Sequence, residues 1–167
     1  MNFKKIIKNK GTLIGFSFLA GVILLVGLFY SGQKTDKFIG VEKVIDGDTI
    51  VLKNGETVRY LGIDSPELYH SESEAECGAE EAKKINEKLL IGKKVKLEKD
   101  ITDKDKYGRL LRFVYTEDGD FVNYSLVSQG YAKLLFIPPD AKFKKDFTEA
   151  QEAAKRENVG LWKTCYK

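Results

Sequence analysis

The segment 38-FIGVEKVIDGDTIVLKNGETVRYLGI-63 contains three strand patterns in succession. Apolar and polar side chains alternate over Phe38–Ile45, Thr49–Lys53 and Glu56–Ile63, as expected for half-buried β-strands. Asn54-Gly55 joins the last two patterns, and because both residue types tolerate positive φ, the pair predicts a two-residue type I′ hairpin. The segment therefore predicts three consecutive antiparallel strands.

The chain beyond this segment alternates between helix and strand patterns. The apolar residues of Ala79–Leu90 recur at helical spacing, and Gly92 follows as a helix-ending residue. The remaining predicted elements are strands at Lys94–Leu97, Arg109–Tyr115 and Tyr131–Ile137 and helices at Val122–Gln129 and Lys142–Glu157. This order predicts that residues 38–167 form a small closed antiparallel barrel of the OB type, with five strands and three helices.

The N-terminal residues have the pattern of a membrane anchor. Gly11–Tyr30 is uncharged, and a helix of this length, rising ~1.5 Å per residue, would span the ~30 Å hydrocarbon core of a bilayer. The lysines of residues 1–10 predict a cytoplasmic N-terminus and a domain outside the cell membrane. The polar residues 31–37 are predicted to form a short tether between the two. The alternative is a cleaved signal peptide and secretion, although bulky residues at 28–30 precede Ser31, where cleavage favours small ones.

The positive net charge belongs to this N-terminal segment. The formal charge of the chain is +3, yet residues 1–32 hold four lysines and no acidic residue. The remaining 24 basic and 25 acidic residues give the rest of the chain a net charge of −1. A polyanion must therefore be attracted by a local patch or a bound metal rather than by the overall field of the domain.

The chain contains two cysteines, Cys77 and Cys165. In an exported domain an even number of cysteines suggests a disulfide, and two unrelated free thiols are the alternative. A bond would close a loop of about 88 residues and contribute roughly 4 kcal/mol in the chain-entropy model.

The single histidine, His70, lies in a polar stretch with no second His or Cys at metal-ligand spacing. This pattern argues against zinc sites, histidine-based nucleases and Ser-His-Asp hydrolases. A Gly-rich phosphate loop followed by Lys-Ser/Thr is also absent from the sequence. Acidic residues are the other source of catalytic groups.

Acidic residues cluster at the ends of neighbouring predicted strands. Asp46-Gly47-Asp48-Thr49 lies between the first two strands, and Asp64-Ser65-Pro66-Glu67 follows the third. Either motif alone is typical of a turn. Together they place carboxylates on adjacent strand ends, where oxygen ligands could hold a hard cation such as Ca²⁺. Asp103-Lys104-Asp105 resembles the start of a calcium loop, but Val114 occupies the twelfth position, so a charged turn is expected there.

Two arginines complete the candidate set. Arg59 lies within the apolar strand pattern Val58–Leu61, where an unpaired charge would be costly, so its alternatives are a structural salt bridge and a catalytic role. Arg109 begins a strand after Tyr107-Gly108. Guanidinium groups, a cation and a carboxylate are the groups that phosphodiester hydrolysis requires, since they neutralise transition-state charge and activate water.

Three ordered segments resemble the signature motifs of the staphylococcal nuclease (thermonuclease) family. They are Ile45-Asp46-Gly47-Asp48-Thr49, Val58-Arg59-Tyr60-Leu61-Gly62-Ile63-Asp64-Ser65-Pro66-Glu67 and Asp105-Lys106-Tyr107-Gly108-Arg109. The resemblance continues from Val122–Ala132 to Gly160-Leu161-Trp162 and covers about residues 38–162.

The resemblance implies an OB-fold enzyme with Ca²⁺-dependent activity on DNA and RNA, leaving 3′-phosphates. It implies that Asp48, Asp64 and the Ser65 carbonyl bind Ca²⁺ and that Glu67 acts on the attacking water. It also implies that Arg59 and Arg109 hold the scissile phosphate. Single-stranded or fraying substrate and a monomeric enzyme are expected.

The expected substrate-binding residues are Lys106, on a phosphate, and Phe136, stacked on a base. Phe136 and Pro138 replace two tyrosines of the best-known family member, and Glu72, Glu74 and Glu76 replace a lysine-rich loop. These departures predict weaker substrate binding. The alternative function is a non-catalytic OB-fold module that binds nucleic acid or protein at the membrane surface; the presence of Arg59, Glu67 and Arg109 favours the enzyme.

Overall fold

The computed structural model describes residues 37–68 and 74–166. Seven strands lie at Ile39–Val44 (β1), Thr49–Leu52 (β2), Thr57–Tyr60 (β3), Gly62–Asp64 (β4), Lys94–Glu98 (β5), Leu110–Thr116 (β6) and Lys133–Leu135 (β7). Four helices lie at Ala79–Leu90 (α1), Val122–Ser128 (α2), Lys144–Arg156 (α3) and Leu161–Thr164 (α4). The predicted strand and helix types are confirmed, and α4 is one helix more than the three that were predicted.

Five strands close into a barrel in the order β1-β2-β3-β6-β5, which confirms the predicted five-stranded architecture. The expectation of a wholly antiparallel barrel was wrong, because β3 and β6 run parallel, with Val58 opposite Leu110. Parallel neighbours need a long crossover connection. The chain between β3 and β6, which includes β4, α1 and β5, provides it.

The predicted single strand Glu56–Ile63 is in fact two strands. Gly62 takes φ +78°, and a Cβ there would lie 3.0 Å from the Phe136 ring. A residue with a side chain would be strained at this φ and crowded against that ring. The break turns β4 out of the barrel to pair with β7, which places Asp64 opposite Lys133.

The hairpin between β2 and β3 also differs from the prediction. A type I′ turn requires positive φ at both central residues, but here Gly55 has φ +86° and Asn54 does not. The Gly55 N–H donates to the Leu52 carbonyl at 2.8 Å, and the Leu52 N–H donates to the Glu56 carbonyl at 2.9 Å. The turn is therefore one residue longer, and β3 begins at Thr57.

The core fills the barrel and the space beneath α2 and α3. Phe113 on β6 and Phe147 on α3 are almost fully buried and meet edge to face at a centroid distance of 6.2 Å. Burying a side chain of this size contributes about 1.5–3 kcal/mol. On α1, Ala82 and Leu90 face the core, and the polar Asn86 is buried with them.

A disulfide joins Cys77, just before α1, to Cys165, just after α4, with their Cα atoms 5.7 Å apart. The predicted membrane-spanning residues 11–30 and the predicted tether up to residue 36 lie outside the described part of the chain. Within residues 37–68 and 74–166, no helix has the length and apolar character needed to cross a membrane.

Candidate active site

Two loops meet at one end of the barrel and carry the predicted cation ligands. Asp48 lies in the turn between β1 and β2, and Asp64 and Ser65 lie where β4 ends. Gly47 allows the loops to touch, since a Cβ on it would come within 2.6 Å of the Ser65 Cβ. The Ser65 N–H donates to Asp48 Oδ2 at 2.7 Å, which fixes one loop against the other.

The Arg59 guanidinium lies between the two carboxylates. Its Nη2 is 2.7 Å from Asp64 Oδ1 and 3.1 Å from Asp48 Oδ2. Its Nη1 donates to the carbonyls of Tyr60 at 3.0 Å and Ile63 at 2.8 Å, on either side of the break between β3 and β4. Arg59 is therefore in the structural ion pair considered from the sequence, and that pair is made with the predicted cation ligands.

The two carboxylates differ in their exposure to solvent. The Asp64 side chain is 51% exposed, whereas that of Asp48 is 1% exposed. Burial raises the pKa of Asp48 to about 7, although the positive charge of Arg59 opposes the shift. A buried anion is costly unless it is neutralised, so this carboxyl favours either a proton or a cation.

A series of buried hydrogen bonds holds the Asp46–Asp48 turn in place. The Tyr60 hydroxyl donates to Asn86 Oδ1 at 2.9 Å, and Asn86 Nδ2 donates to the Asp46 carbonyl at 3.1 Å. The Asp46 carboxylate accepts the N–H of Asp48 at 2.9 Å. Asn86 was not among the predicted site residues, and its one signal in the sequence is an amide at a position of α1 that helical spacing assigns to the buried face.

Glu67 lies three residues beyond Asp64 and is partly exposed. Its N–H donates to Glu76 Oε2 at 3.2 Å, and its carbonyl accepts the N–H of Glu76 at 3.0 Å. The loop that leaves at Glu67 therefore returns to it at Glu76.

Arg109 is oriented by Asp105, which the sequence analysis had treated as part of a charged turn. Arg109 Nε donates to Asp105 Oδ2 at 2.6 Å, and the Arg109 N–H donates to Oδ1 at 3.0 Å. Burial alone would raise the pKa of Asp105, but these hydrogen bonds outweigh it and lower the pKa. Asp105 therefore stays ionised and holds the guanidinium in place.

Arg59 and Arg109 line one cleft of about 370 Å³. Leu135, Ile137 and Pro138 form its apolar wall, and Lys104 adds a positive charge at the rim. Both predicted phosphate-binding arginines therefore face the same space.

The two predicted substrate-binding residues lie outside the lining of this cleft. Lys106 is exposed next to Tyr107, with its Nζ 5.0 Å from that ring. Phe136 packs towards Phe147, at a centroid distance of 5.9 Å, and against Gly62. Tyr107, 72% exposed and 5.5 Å from the Arg109 guanidinium carbon, is an aromatic group near the site that the sequence analysis missed.

Comparisons with known proteins identify relatives of this chain. The family described as "Staphylococcal nuclease homologue" matches residues 57–164. The chain is 37% identical to the thermonuclease of Staphylococcus intermedius over 125 residues, which cover 73% of this chain and 74% of that protein.

Two further relatives are similarly close. The thermonuclease of Staphylococcus hyicus is 32% identical over 152 residues, covering 89% of this chain and 88% of that protein. Endonuclease YncB of Bacillus subtilis (strain 168) is 38% identical over 135 residues, covering 78% of this chain and 64% of that protein.

The chain belongs to the staphylococcal nuclease family. The resemblance predicted from its motifs is confirmed, and the protein is an enzyme of the hydrolase class, a nuclease. Ion pairs join Asp48, Arg59 and Asp64, and Arg109 lines the cleft with Arg59. These four residues, with Glu67 close to Asp64 in the chain, are thus the candidate active site of this nuclease.

The predicted cation ligands Asp48, Asp64 and Ser65 offer oxygen atoms to a metal. Across residues 37–68 and 74–166, no three His, Cys, Asp or Glu side chains are grouped closely enough to enclose a metal by themselves. Asp48 and Asp64 contact the same guanidinium nitrogen and are therefore neighbours. Two carboxylates and a nearby carbonyl fit a hard cation that keeps other positions for water or phosphate oxygens.

The raised pKa of Asp48 predicts a pH dependence of stability. The ordinary carboxyl pKa is 3.8 and the folded-state value is about 7, so the folded nuclease binds this proton more tightly than the unfolded chain. The resulting stabilisation is complete below the unfolded-state pKa and is lost as the pH rises through the folded-state pKa. In the presence of a chelator, Asp48→Asn should gain stability relative to the wild type from about pH 4 to pH 8.

Urea unfolding followed by Trp162 fluorescence at several pH values would measure this difference. Asp146→Asn, at an exposed position of α3, is the control for the loss of one charge. If the difference in unfolding free energy between Asp48→Asn and the wild type does not change with pH, the raised pKa of Asp48 is contradicted.

Proposed function

We propose that this nuclease hydrolyses phosphodiester bonds of DNA and RNA in a Ca²⁺-dependent reaction that leaves 3′-phosphate ends. The main support for the proposal is the position of Arg59, which contacts both candidate carboxylate ligands of the cation and also lines the cleft. A substrate phosphate in this cleft would face Arg59 and Arg109 at the same time.

Asp48, Asp64 and the Ser65 carbonyl would hold the cation. When bound, Ca²⁺ would supply positive charge to a phosphate oxygen and a coordination position for water. The Ser65 N–H bond to Asp48 and the packing of Gly47 on Ser65 keep these ligands on one small surface. Such preorganisation means that little rearrangement is required when charge develops in the transition state.

The two arginines would stabilise the extra negative charge of the pentacovalent transition state. Arg59 Nη1 is fixed by two carbonyl groups, so the guanidinium plane is set before substrate arrives. Nη2 would exchange the carboxylate oxygens of Asp48 and Asp64 for an oxygen of the phosphate. Arg109, held through Nε by Asp105, keeps its terminal nitrogens for the same phosphate.

Glu67 would orient the attacking water and accept its proton. Its place just beyond the Asp64-Ser65 ligand segment puts its backbone beside the cation site. A carboxylate in this role contributes as a general base.

The cleft favours an unpaired nucleotide as substrate. Its volume of about 370 Å³ is in the range of sites that hold one small ligand, such as a single nucleotide. The apolar wall of Leu135, Ile137 and Pro138 can contact a base face. Single-stranded nucleic acid and fraying duplex ends would therefore be cleaved faster than stable duplex.

Fluorescence release from labelled single-stranded DNA tests the proposal, using the full-length protein in mild detergent with Ca²⁺ or with chelator. Cleavage should require Ca²⁺, and Glu67→Gln and Arg109→Ala should each lower kcat by about 10²-fold or more, as removal of transition-state stabilisers does. The matched controls are Glu149→Gln and Arg156→Ala on the exposed side of α3, which should retain wild-type rates.

A wild-type protein that binds labelled DNA but does not cleave it in Ca²⁺ would contradict the proposal. That result would instead support the non-catalytic module considered from the sequence.

We further propose that Gly11–Tyr30 anchors the nuclease in the cell membrane with residues 38–167 on the outer side. The support is the uncharged length of this segment and the lysines that precede it. Immunoblots of membrane, cytoplasmic and culture-medium fractions should find the full-length chain in the membrane fraction. Protease added to intact cells should digest it. A full-length chain confined to the cytoplasmic fraction would contradict the proposal, and a shortened chain in the medium would favour secretion after cleavage.

A further inference from the structure

The disulfide connects two segments that flank the candidate active site. Cys77 directly follows Glu76, the residue that pairs with Glu67. Cys165 directly precedes Tyr166, whose ring covers Lys133. Each cysteine of the disulfide is therefore next in the chain to a residue that makes a contact beside the site: Glu76 with Glu67, and Tyr166 with Lys133.

The contact on the Cys77 side is made by Glu76. Its carboxylate accepts the N–H of Glu67 at 3.2 Å, and its own N–H donates to the Glu67 carbonyl at 3.0 Å. Both backbone polar groups of Glu67, the N–H and the carbonyl, are therefore bonded to Glu76. The Glu76 carbonyl also accepts the Ala79 N–H at 3.0 Å, at the start of α1. Cys77 lies between Glu76 and α1, so its bond to Cys165 helps to fix the position of Glu76.

The contact on the Cys165 side is made by Tyr166. The Lys133 Nζ lies 3.5 Å from the centre of the Tyr166 ring, and Trp162 packs on that ring at 4.8 Å. Lys133 is the strand partner of Asp64. Burial raises the pKa of Tyr166, and the negative charges of Glu76 and Asp64 raise it further.

The segments before α1 and at α4 make contacts besides the disulfide. Gly78 lies so close to Leu161 that a side chain on residue 78 would overlap the Leu161 methyl groups. The Leu161 N–H also donates to the Gly130 carbonyl at 3.0 Å. The fold therefore has other attachments for its C-terminal helix, and the bond acts on the segments beside the cysteines.

We propose that the Cys77–Cys165 disulfide is a positioning device for catalysis: it holds Glu76 against the backbone of Glu67, and Glu76 is a positioning residue. This inference rests on the proposed role of Glu67 as the residue that acts on water. With the bond closed, Glu67 is held for that role. With the bond open, Glu76 separates from it and turnover falls while the barrel stays folded.

The disulfide opens by thiol–disulfide exchange with a dithiol reductant. One reductant thiolate attacks an Sγ atom, the Sγ–Sγ bond breaks, and the second reductant thiol displaces the first cysteine. The protein gains two electrons and two protons as two thiols, and the reductant leaves as a cyclic disulfide. Cys77 is exposed, so the bond is accessible to such a reagent. The nuclease would thus be most active in an oxidising compartment.

Steady-state kinetics of the full-length protein in detergent, with and without dithiothreitol, test the proposal. Reduction should lower kcat by on the order of tenfold with a smaller change in KM, because misplacing a catalytic group by ~1 Å costs up to about 10²-fold. The double variant Cys77→Ser/Cys165→Ser should have this lower kcat and be insensitive to dithiothreitol. Near-ultraviolet circular dichroism should show that both forms remain folded.

Substitutions at position 76 separate positioning from stability. Glu76→Ala should lower kcat to the same extent as reduction does. Glu76→Gln retains an acceptor oxygen and should stay within about twofold of the wild type. Glu87→Ala removes an exposed charge from α1 and should leave kcat unchanged. Equal kcat values for Glu76→Ala and the wild type, or for reduced and oxidised wild type, would overturn the proposal.

Amide hydrogen exchange gives a readout that does not depend on activity. Reduction and Glu76→Ala should each speed exchange at the N–H of Glu67 and leave the N–H groups of the barrel strands protected. If exchange at Glu67 does not change, the proposal fails even where the wild type is active. The oxidised wild type could lack Ca²⁺-dependent cleavage while exchange at Glu67 still responds as expected. In that case the proposed function fails, but the disulfide is still shown to hold Glu76 against Glu67.

Discussion

The Arg59 guanidinium joins the parts of the barrel end on which the site depends. One of its nitrogens bonds to the carbonyls on both sides of the break between β3 and β4, and the other contacts Asp48 and Asp64. Without this positive charge, the buried Asp48 carboxylate would lie next to Asp64 with no counter-ion. Removing one partner of a buried ion pair typically costs about 3–5 kcal/mol. The same side chain therefore stabilises the metal-free fold and is presented to the cleft for phosphate binding.

The barrel places these groups through its strand pairing. Thr49 lies opposite Arg59 in the β2–β3 ladder, so Asp48 comes next to the guanidinium as the preceding residue. The Tyr60 N–H donates to the Asp48 carbonyl at 2.9 Å and closes the same corner. Gly62 then turns the chain so that Asp64 meets Nη2 of Arg59. The conformation of this corner thus follows from one strand register and one glycine.

The sequence predicts the parts of this structure that depend on local pattern. Alternation predicts the barrel strands, and two of the three motifs predict the cluster of Asp48, Arg59 and Asp64. Contacts between distant segments have no such signal. The parallel pairing of β3 with β6 and the packing of Gly62 against Phe136 arise from tertiary contacts that override strand pattern. The contact of Asp105 with Arg109 is local, but a charged turn does not show which carboxylate will bind the guanidinium. Phe136 packs towards Phe147 and is partly buried, and its role in binding a base stays a prediction.

Calorimetric titration of the full-length protein with Ca²⁺ tests most directly whether the carboxylates at Arg59 form a cation site. The account predicts saturable binding by the wild type and by Asp146→Asn, and loss of most of that binding in both Asp48→Asn and Asp64→Asn, with their folds verified by circular dichroism. Binding of Ca²⁺ by these two variants with the affinity of the wild type would contradict it.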